Sequence, residues 1–245
     1  MSDGPPMLTM AMVLAAGRGL RLRPITDTLP KPLVSVAGRA MLDRVLDALA
    51  AAGVAECVVN THYLGHLIEA HIADRKTPTI HMSPERGLLD TGGGLARALP
   101  LLGKDPFFGI NADILWQDGP EASALARLSN AYDRAGMDGL LLLMPVEDAT
   151  GYDGAGDFNM ARDGRLTRRG SAPSAPYVYT GVQILHPRLI ANHPAGAFSL
   201  NVFFDRAIDH GRLYGLVHDG HWFHVGDARG LELAEAALKL PDDTP

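Results

Sequence analysis

The sequence predicts a single doubly wound α/β domain, with a mostly parallel, mixed central sheet under helices on both faces and a small hairpin lid. Three observations carry this expectation. Short apolar runs alternate with segments of helical period along most of the 245 residues. The runs are apolar on both faces, as strands buried from two sides in a parallel sheet must be. The first run ends in a glycine-rich turn, the place where such sheets bind ligands.

Residues 10–16 read as the first buried strand, stopped by Gly17. Residues 40–52 read as a helix, with Met41, Leu42, Val45, Leu46 and Leu49 on one face and Gly53 as its stop. Residues 56–60 and 79–82 follow as strands, with a helix over 64–73 between them. A helix over 94–102, a strand over 107–111, a helix over 121–135 and an almost wholly apolar strand over 139–146 complete the alternation. From about 147 to 176 the period breaks into short polar pieces punctuated by glycine, predicting hairpins that lie over the main sheet. Strands over 177–185 and 222–225 and helices over 200–209 and 230–240 close the chain. Nothing repeats and no linker divides the sequence, so one domain is expected over 1–245, with a core from about 8 to 240.

Composition narrows the function. Hydrophobic residues make up 47% of the chain and the formal net charge is −6, which argues against nucleic acid or a membrane surface as partner. A lone cysteine, Cys57, excludes a disulfide framework and fits a reducing compartment. The first nine residues lack the cationic start and apolar core of a secretory signal. No apolar run approaches the ~20 residues of a membrane span. A cytoplasmic protein, monomeric or a small homo-oligomer, is expected.

Against this acidic background the stretch from Val13 to Pro32, VLAAGRGLRLRPITDTLPKP, is dense in arginine, glycine and proline. Gly17 and Gly19 after a strand make an anion nest of backbone N–H groups. The phosphate loop G-x-x-x-x-G-K-[ST] is absent, and the dinucleotide pattern G-x-G-x-x-G fails because Leu22 stands where its third glycine belongs. Lys31 lies between Pro30 and Pro32, which biases it to extended backbone and reduces the freedom it loses on meeting a phosphate. Arg18, Arg21 and Arg23 lie upstream, and their alternation sends Arg21 and Arg23 to one side; Arg18 or Arg23 taken singly reads equally well as a solvated surface charge.

Three further segments carry chemistry. NADIL places Asp113 just past a strand at the same sheet edge, as a Mg²⁺ carboxylate or a helix N-cap. SPERGLLDTGGGL ends in Gly92, Gly93 and Gly94, which cost up to ~1 kcal/mol each in a helix relative to alanine; close approach to a flat ligand or a flexible loop explains them. Glu85 in the same segment is either a base or ribose contact or a surface acid. No histidine spacing suggests a metal cluster, and no nucleophile–base set is evident.

The pattern L-x-x-G-x-G-x-R-L-x-P-x-T-x-x-x-P-K-P, Leu14 to Pro32, resembles the signature of the sugar-1-phosphate nucleotidylyltransferases. Within that superfamily the chain is most similar to the bacterial N-acetylmuramate-1-phosphate uridylyltransferases of cell-wall recycling, and it also resembles enzymes labelled mannose-1-phosphate guanylyltransferase. The resemblance runs from the first strand to W-x-x-V-G near the C-terminus. It implies the nucleotide-diphospho-sugar transferase fold and transfer of a nucleotidyl group from an NTP, UTP above all, to a sugar 1-phosphate with release of pyrophosphate. It also implies roles. Arg21 clamps the leaving pyrophosphate with Arg18 assisting, Lys31 neutralises the α-phosphate, and Asp113 holds Mg²⁺. Leu14, Ala15, Ala16, Gly17, Gly19, Thr91, Gly92, Gly93 and Asn111 join Glu85 around the nucleotide. Asp157, Asn159, Thr180 and Gly181 fall where the family builds its sugar pocket, although each alone also reads as turn or strand chemistry.

One departure stands out. The family carries W-x-D-x-G-T where this chain has Trp222 to Asp227, so His224 replaces the second metal carboxylate and Asp227 the threonine. Three outcomes stay open: His224 ligates, and then favours Mn²⁺ or Co²⁺; Asp227 reaches in; or Asp113 holds the ion with phosphates and water alone. A nucleotide-sugar sensor without catalysis and a nicotinamide-dependent oxidoreductase are the readings from other classes.

Overall fold

The computed structural model describes residues 8–239. In chain order the elements are β1 (Met10–Leu14), β2 (Ser35–Val36), β3 (Arg39–Ala40), α1 (Met41–Ala51), β4 (Glu56–Thr61), α2 (Gly65–Ile72), β5 (Thr79–Pro84), α3 (Asp90–Leu102), β6 (Phe107–Asn111) and β7 (Leu115–Gln117). They continue as α4 (Ala124–Ala131), β8 (Gly139–Pro145), β9 (Phe158–Met160), β10 (Leu166–Arg168), β11 (Tyr177–Leu185), α5 (Pro187–Ile190), α6 (Asn201–Asp209), β12 (Leu213–Val217), β13 (His221–Phe223) and α7 (Ala228–Lys239).

Nine strands form one mixed sheet. β5, β4, β1 and β6 run parallel, β11 runs antiparallel between β6 and β8, and β12 is parallel to β8. Alternation along β1 shows how both faces are covered: Ala11 and Val13 face one layer, Met12 the other. The first layer packs Leu42, Val45, Leu46 and Leu49 of α1, Ile68 of α2 and Leu125 and Leu128 of α4 on the sheet. The second packs Leu95 and Leu102 of α3, Leu189 of α5 and Phe203 and Phe204 of α6 on the opposite face. Each such apolar side chain contributes about 1.5–3 kcal/mol when fully buried. A third cluster joins Leu22, Val34, Met41, Phe223, Val225 and Ala234, so α7 braces the loop that follows β1.

Several expectations are corrected. β1 ends at Leu14, two residues early, because the Ala15 N–H turns out of the ladder to the Asn60 side chain, 2.8 Å away. α3 starts at Asp90, which draws the three glycines inside the helix. The expected helix over 121–135 shrinks to α4, capped by Ser123, whose Oγ accepts from Ala126 N–H. The segment 147–176 holds one hairpin, β9–β10, which extends the sheet beside the start of β11 instead of lying over it. Buried Phe158 and Leu166 draw it into the second layer. The short strand expected over 222–225 is β13, shifted to 221–223, and its partner β7 went unread, as did β12, whose apolar alternation Gly215 interrupts. α7 begins two residues before the expected Gly230, and Leu240 of that expected helix lies outside the described residues.

Candidate active site

β1, β4, β5 and β6 all end on one sheet edge, where the strand order reverses about β1, and ligands of open α/β sheets bind at such points. A cleft of about 700 Å³ opens there, lined by Leu14 to Arg21, Lys31, Asn60, Asp90 and Thr91, Asn111 and Asp113. A smaller compartment of about 270 Å³ adjoins it, walled by Tyr152, Asp157, Val178 to Gly181, Trp222 and His224. Arg21, Lys31, Asn111 and Asp113 line both. The two spaces therefore share one charged floor.

The loop after β1 is built to hold Lys31 there. Gly19 has φ 62°, a left-handed conformation that costs a side-chain-bearing residue about 1–2 kcal/mol. A Cβ at Gly19 would also fall 2.9 Å from Lys31 Cβ and 3.0 Å from Thr26 Cγ2. Thr26 Oγ1 donates to the Gly19 carbonyl at 2.8 Å, and Tyr63 Oη donates to the Thr26 carbonyl at 2.9 Å. Lys31 does not sit in extended backbone. It opens a single 3₁₀ turn, with Leu33 N–H donating to Pro30 O and Val34 N–H to Lys31 O, and these bonds outweigh the preference set by Pro32. Gly19→Ala is therefore expected to lower both the unfolding temperature and kcat, because relief requires Lys31 or Thr26 to move. Denaturation and steady-state kinetics check this, and an unchanged kcat would separate Gly19 from the placement of Lys31.

Lys31 is 9% exposed, and its Nζ lies 2.7 Å from Asp113 Oδ2. Removing an ammonium and a carboxylate from water costs about as much as their attraction returns, so such a pair is poorly explained by stability alone. Arg18 and Arg21 are exposed on the cleft side. Arg23 is not beside Arg21: the 3₁₀ turn Leu20–Leu22 rotates it out of the cleft, and it pairs with Asp27 at 3.0 Å.

Leu14, Ala15, Ala16, Gly17, Gly19, Thr91 and Asn111 line the larger cleft as expected. Three other candidates do not. A Cβ at Gly92 would lie 2.6 Å from the Phe198 ring and one at Gly93 2.7 Å from Gly196 O, so the glycines admit the 196–199 loop. Glu85 is not a surface acid: it is buried behind the cleft wall. It accepts from Asn60 Nδ2 at 2.7 Å and from Leu89 N–H at 2.9 Å.

In the smaller compartment Asp157 and Gly181 line the wall, and one Asp157 oxygen accepts from Tyr179 N–H at 2.9 Å. Thr180 also lines it, but its buried hydroxyl donates to Leu142 O at 2.8 Å. Asn159 stands outside, exposed on β9, with its amide 3.4 Å from Arg168 O. The rings of Tyr152 and Trp222 flank His224 at 5.8 Å each, so the histidine packs near Trp222, as the sequence also allows for a residue without a ligand role.

His224 faces the charged floor. A Cβ at Gly226 would collide with its Nε2 and lie 3.3 Å from Arg21 Nη1. Burial, then the neighbouring Arg21 and Lys31, hold its imidazole below the ordinary value, so it is neutral at pH 7. Asp227 lines neither space. It caps α7 instead, with Oδ1 accepting from Gly230 N–H at 2.9 Å, the bond that first lowers its pKa. Among the described residues no three His, Cys, Asp or Glu side chains converge as a metal cage. One carboxylate and one neutral imidazole on a floor shared with Arg21 and Lys31 suit a divalent cation that completes its shell from other oxygens, since Mg²⁺ takes one or two protein carboxylates together with water.

A family model described as Nucleotidyl transferase matches residues 10–239, and the chain belongs to that family. It is a nucleotidyltransferase. It is 42% identical over 243 residues to a Caulobacter vibrioides protein named N-acetylmuramate alpha-1-phosphate uridylyltransferase, covering 97% of this chain and 99% of that protein. It is 34% identical to a protein of the same name from Neisseria meningitidis, covering 92% of this chain and 96% of that one. Its fold is similar to that of the inositol-1-phosphate CTP transferase from T. maritima, with a TM-score of 0.77 at 17% identity over 96% of this chain and 99% of that one.

Proposed function

We propose that this enzyme joins UTP to N-acetylmuramic acid 1-phosphate, giving the UDP-sugar and pyrophosphate in the cytoplasm. The observation that carries it is the charged floor shared by two compartments, since two phosphorylated substrates must meet at one phosphorus atom. The nucleotide occupies the larger space and the sugar the smaller. A phosphate oxygen of the acceptor attacks the α-phosphorus, and the bond from that phosphorus to the bridging oxygen breaks, releasing pyrophosphate. With a second pKa near ~6 the acceptor phosphate is already mostly dianionic at pH 7, so no general base is needed. Arg21 holds the leaving pyrophosphate, with Arg18 at the rim. Lys31 faces the α-phosphate, where charge accumulates. Both act by positioning and charge neutralisation, the usual means of phosphoryl transfer. Asp113, with His224 across the floor, would hold a divalent ion, and that ion would supply positive charge to offset the charge of the phosphates.

Incubating the purified chain with UTP and N-acetylmuramic acid 1-phosphate and following pyrophosphate tests this. GTP with mannose 1-phosphate is the competing pair, and faster release with that pair moves the reading to a guanylyltransferase. Nucleotide binding without release for any pair leaves a sensor. His224 adds a prediction. Turnover is expected to be faster with Mn²⁺ or Co²⁺ than with Mg²⁺, and His224→Asp is expected to shift the preference toward Mg²⁺, because imidazole is the softer ligand. Half-saturation by each ion in both proteins checks it. An unchanged order of preference leaves Asp113 as the sole protein ligand.

A further inference from the structure

Asn60, the penultimate residue of β4, is a buried amide, 2% exposed, directly after the apolar run Cys57, Val58 and Val59. Its orientation is fixed by its partners: the atom facing Ala15 N–H must be oxygen, and the atom facing the Glu85 carboxylate must be nitrogen. Glu85, 7% exposed, spends its second oxygen on Leu89 N–H. Gly94 backs the pair, since a Cβ there would lie 2.7 Å from both Asn60 Nδ2 and Glu85 Oε1. Ala15 belongs to one wall of the larger cleft, and Leu89 sits between Leu88 and Asp90 of the facing wall. Three hydrogen bonds through two buried side chains therefore tie the walls together. Asn60 also lines the larger cleft, and neither side chain hydrogen-bonds to Arg21, Lys31, Asn111 or Asp113.

We propose that Asn60 and Glu85 are positioning residues that set the separation of these two walls, and through it the affinity for the nucleoside half of the NTP, on the reading above that this cleft takes the nucleotide. Their chemistry supplies a stringent test. Glu85→Gln leaves one N–H of the relay facing another donor. Asn60→Asp sets two carboxylates face to face. The double substitution Asn60→Asp with Glu85→Gln exchanges donor and acceptor: the new carboxylate accepts from Ala15 N–H and from the new amide, whose oxygen accepts from Leu89 N–H. All three bonds are restored with unchanged shape.

UTP affinity is measured by calorimetry without acceptor, and KM for each substrate and kcat by pyrophosphate release. Each single substitution is expected to raise Kd and KM for UTP about tenfold, with kcat at saturation and KM for the sugar phosphate within about twofold. The double variant is expected to return to within about twofold of wild type. Gly94→Ala, which presses on the pair and removes no polar group, is expected to raise KM for UTP in the same direction should the single variants fail to fold. Wild-type UTP affinity in the singles or in Gly94→Ala overturns the proposal, and so does a double variant no better than the singles or a loss confined to kcat. If wild type itself does not bind UTP in calorimetry, the assignment of the cleft to that nucleotide fails first, and the relay proposal fails with it.

Discussion

Replacing Lys31 with alanine is expected to lower kcat by about 10²–10³-fold at saturating substrates, the usual effect of deleting one preorganised group that stabilises developing charge. The geometry argues for the size. Lys31 is buried on the floor common to both compartments, held by a 3₁₀ turn, by packing against Gly19 and by its pair with Asp113, so on the proposed reading its ammonium is already in place for the α-phosphate. Arg21→Ala belongs to the same experiment and should cost a similar factor, since Arg21 also lines both spaces. Circular dichroism and unfolding temperature establish that the variants fold. Near-wild-type kcat in either would remove that residue from the transition state.

Asp113→Asn is expected to lower turnover by a comparable factor, about 10²–10³-fold, and to raise the metal concentration needed for half-saturation. Asparagine preserves the volume and still offers an oxygen to Lys31 Nζ, so the variant avoids stranding a buried ammonium. It removes the carboxylate that, alone among the described residues, lines both compartments with Lys31 and Arg21. A metal titration decides the point. If the half-saturation concentration and kcat are both those of wild type, Asp113 is a partner of Lys31 and nothing more.

Much of this architecture was legible before any coordinates. The apolar runs over 56–60 and 107–111 are strands because β-rich, doubly buried segments have no other low-energy place in a sheet of this kind. The loop from Leu14 to Pro32 announced its site through residue types alone. Asn60 also carried a signal that went unread: a polar amide at the carboxyl end of an apolar strand, on the ligand edge. The burial of Glu85 and the packing of Gly92 and Gly93 were not legible, because their partners lie at sequence distances of 25 and about 105, which no local pattern contains.

The sequence by itself determined the layered α/β class and the placing of a charged, glycine-rich segment at the carboxyl edge of the sheet, because these follow from periodicity and from the charge and flexibility of a short segment. Only the tertiary structure decided which side chains line the cleft. His224 turns to the charged floor while Asp227, three residues on, caps α7. Arg21 lines the cleft while Arg23, two residues on, pairs outside it with Asp27. A single 3₁₀ turn or helix start rotates neighbouring side chains to opposite sides, and which way they turn is set by what the rest of the chain packs against them.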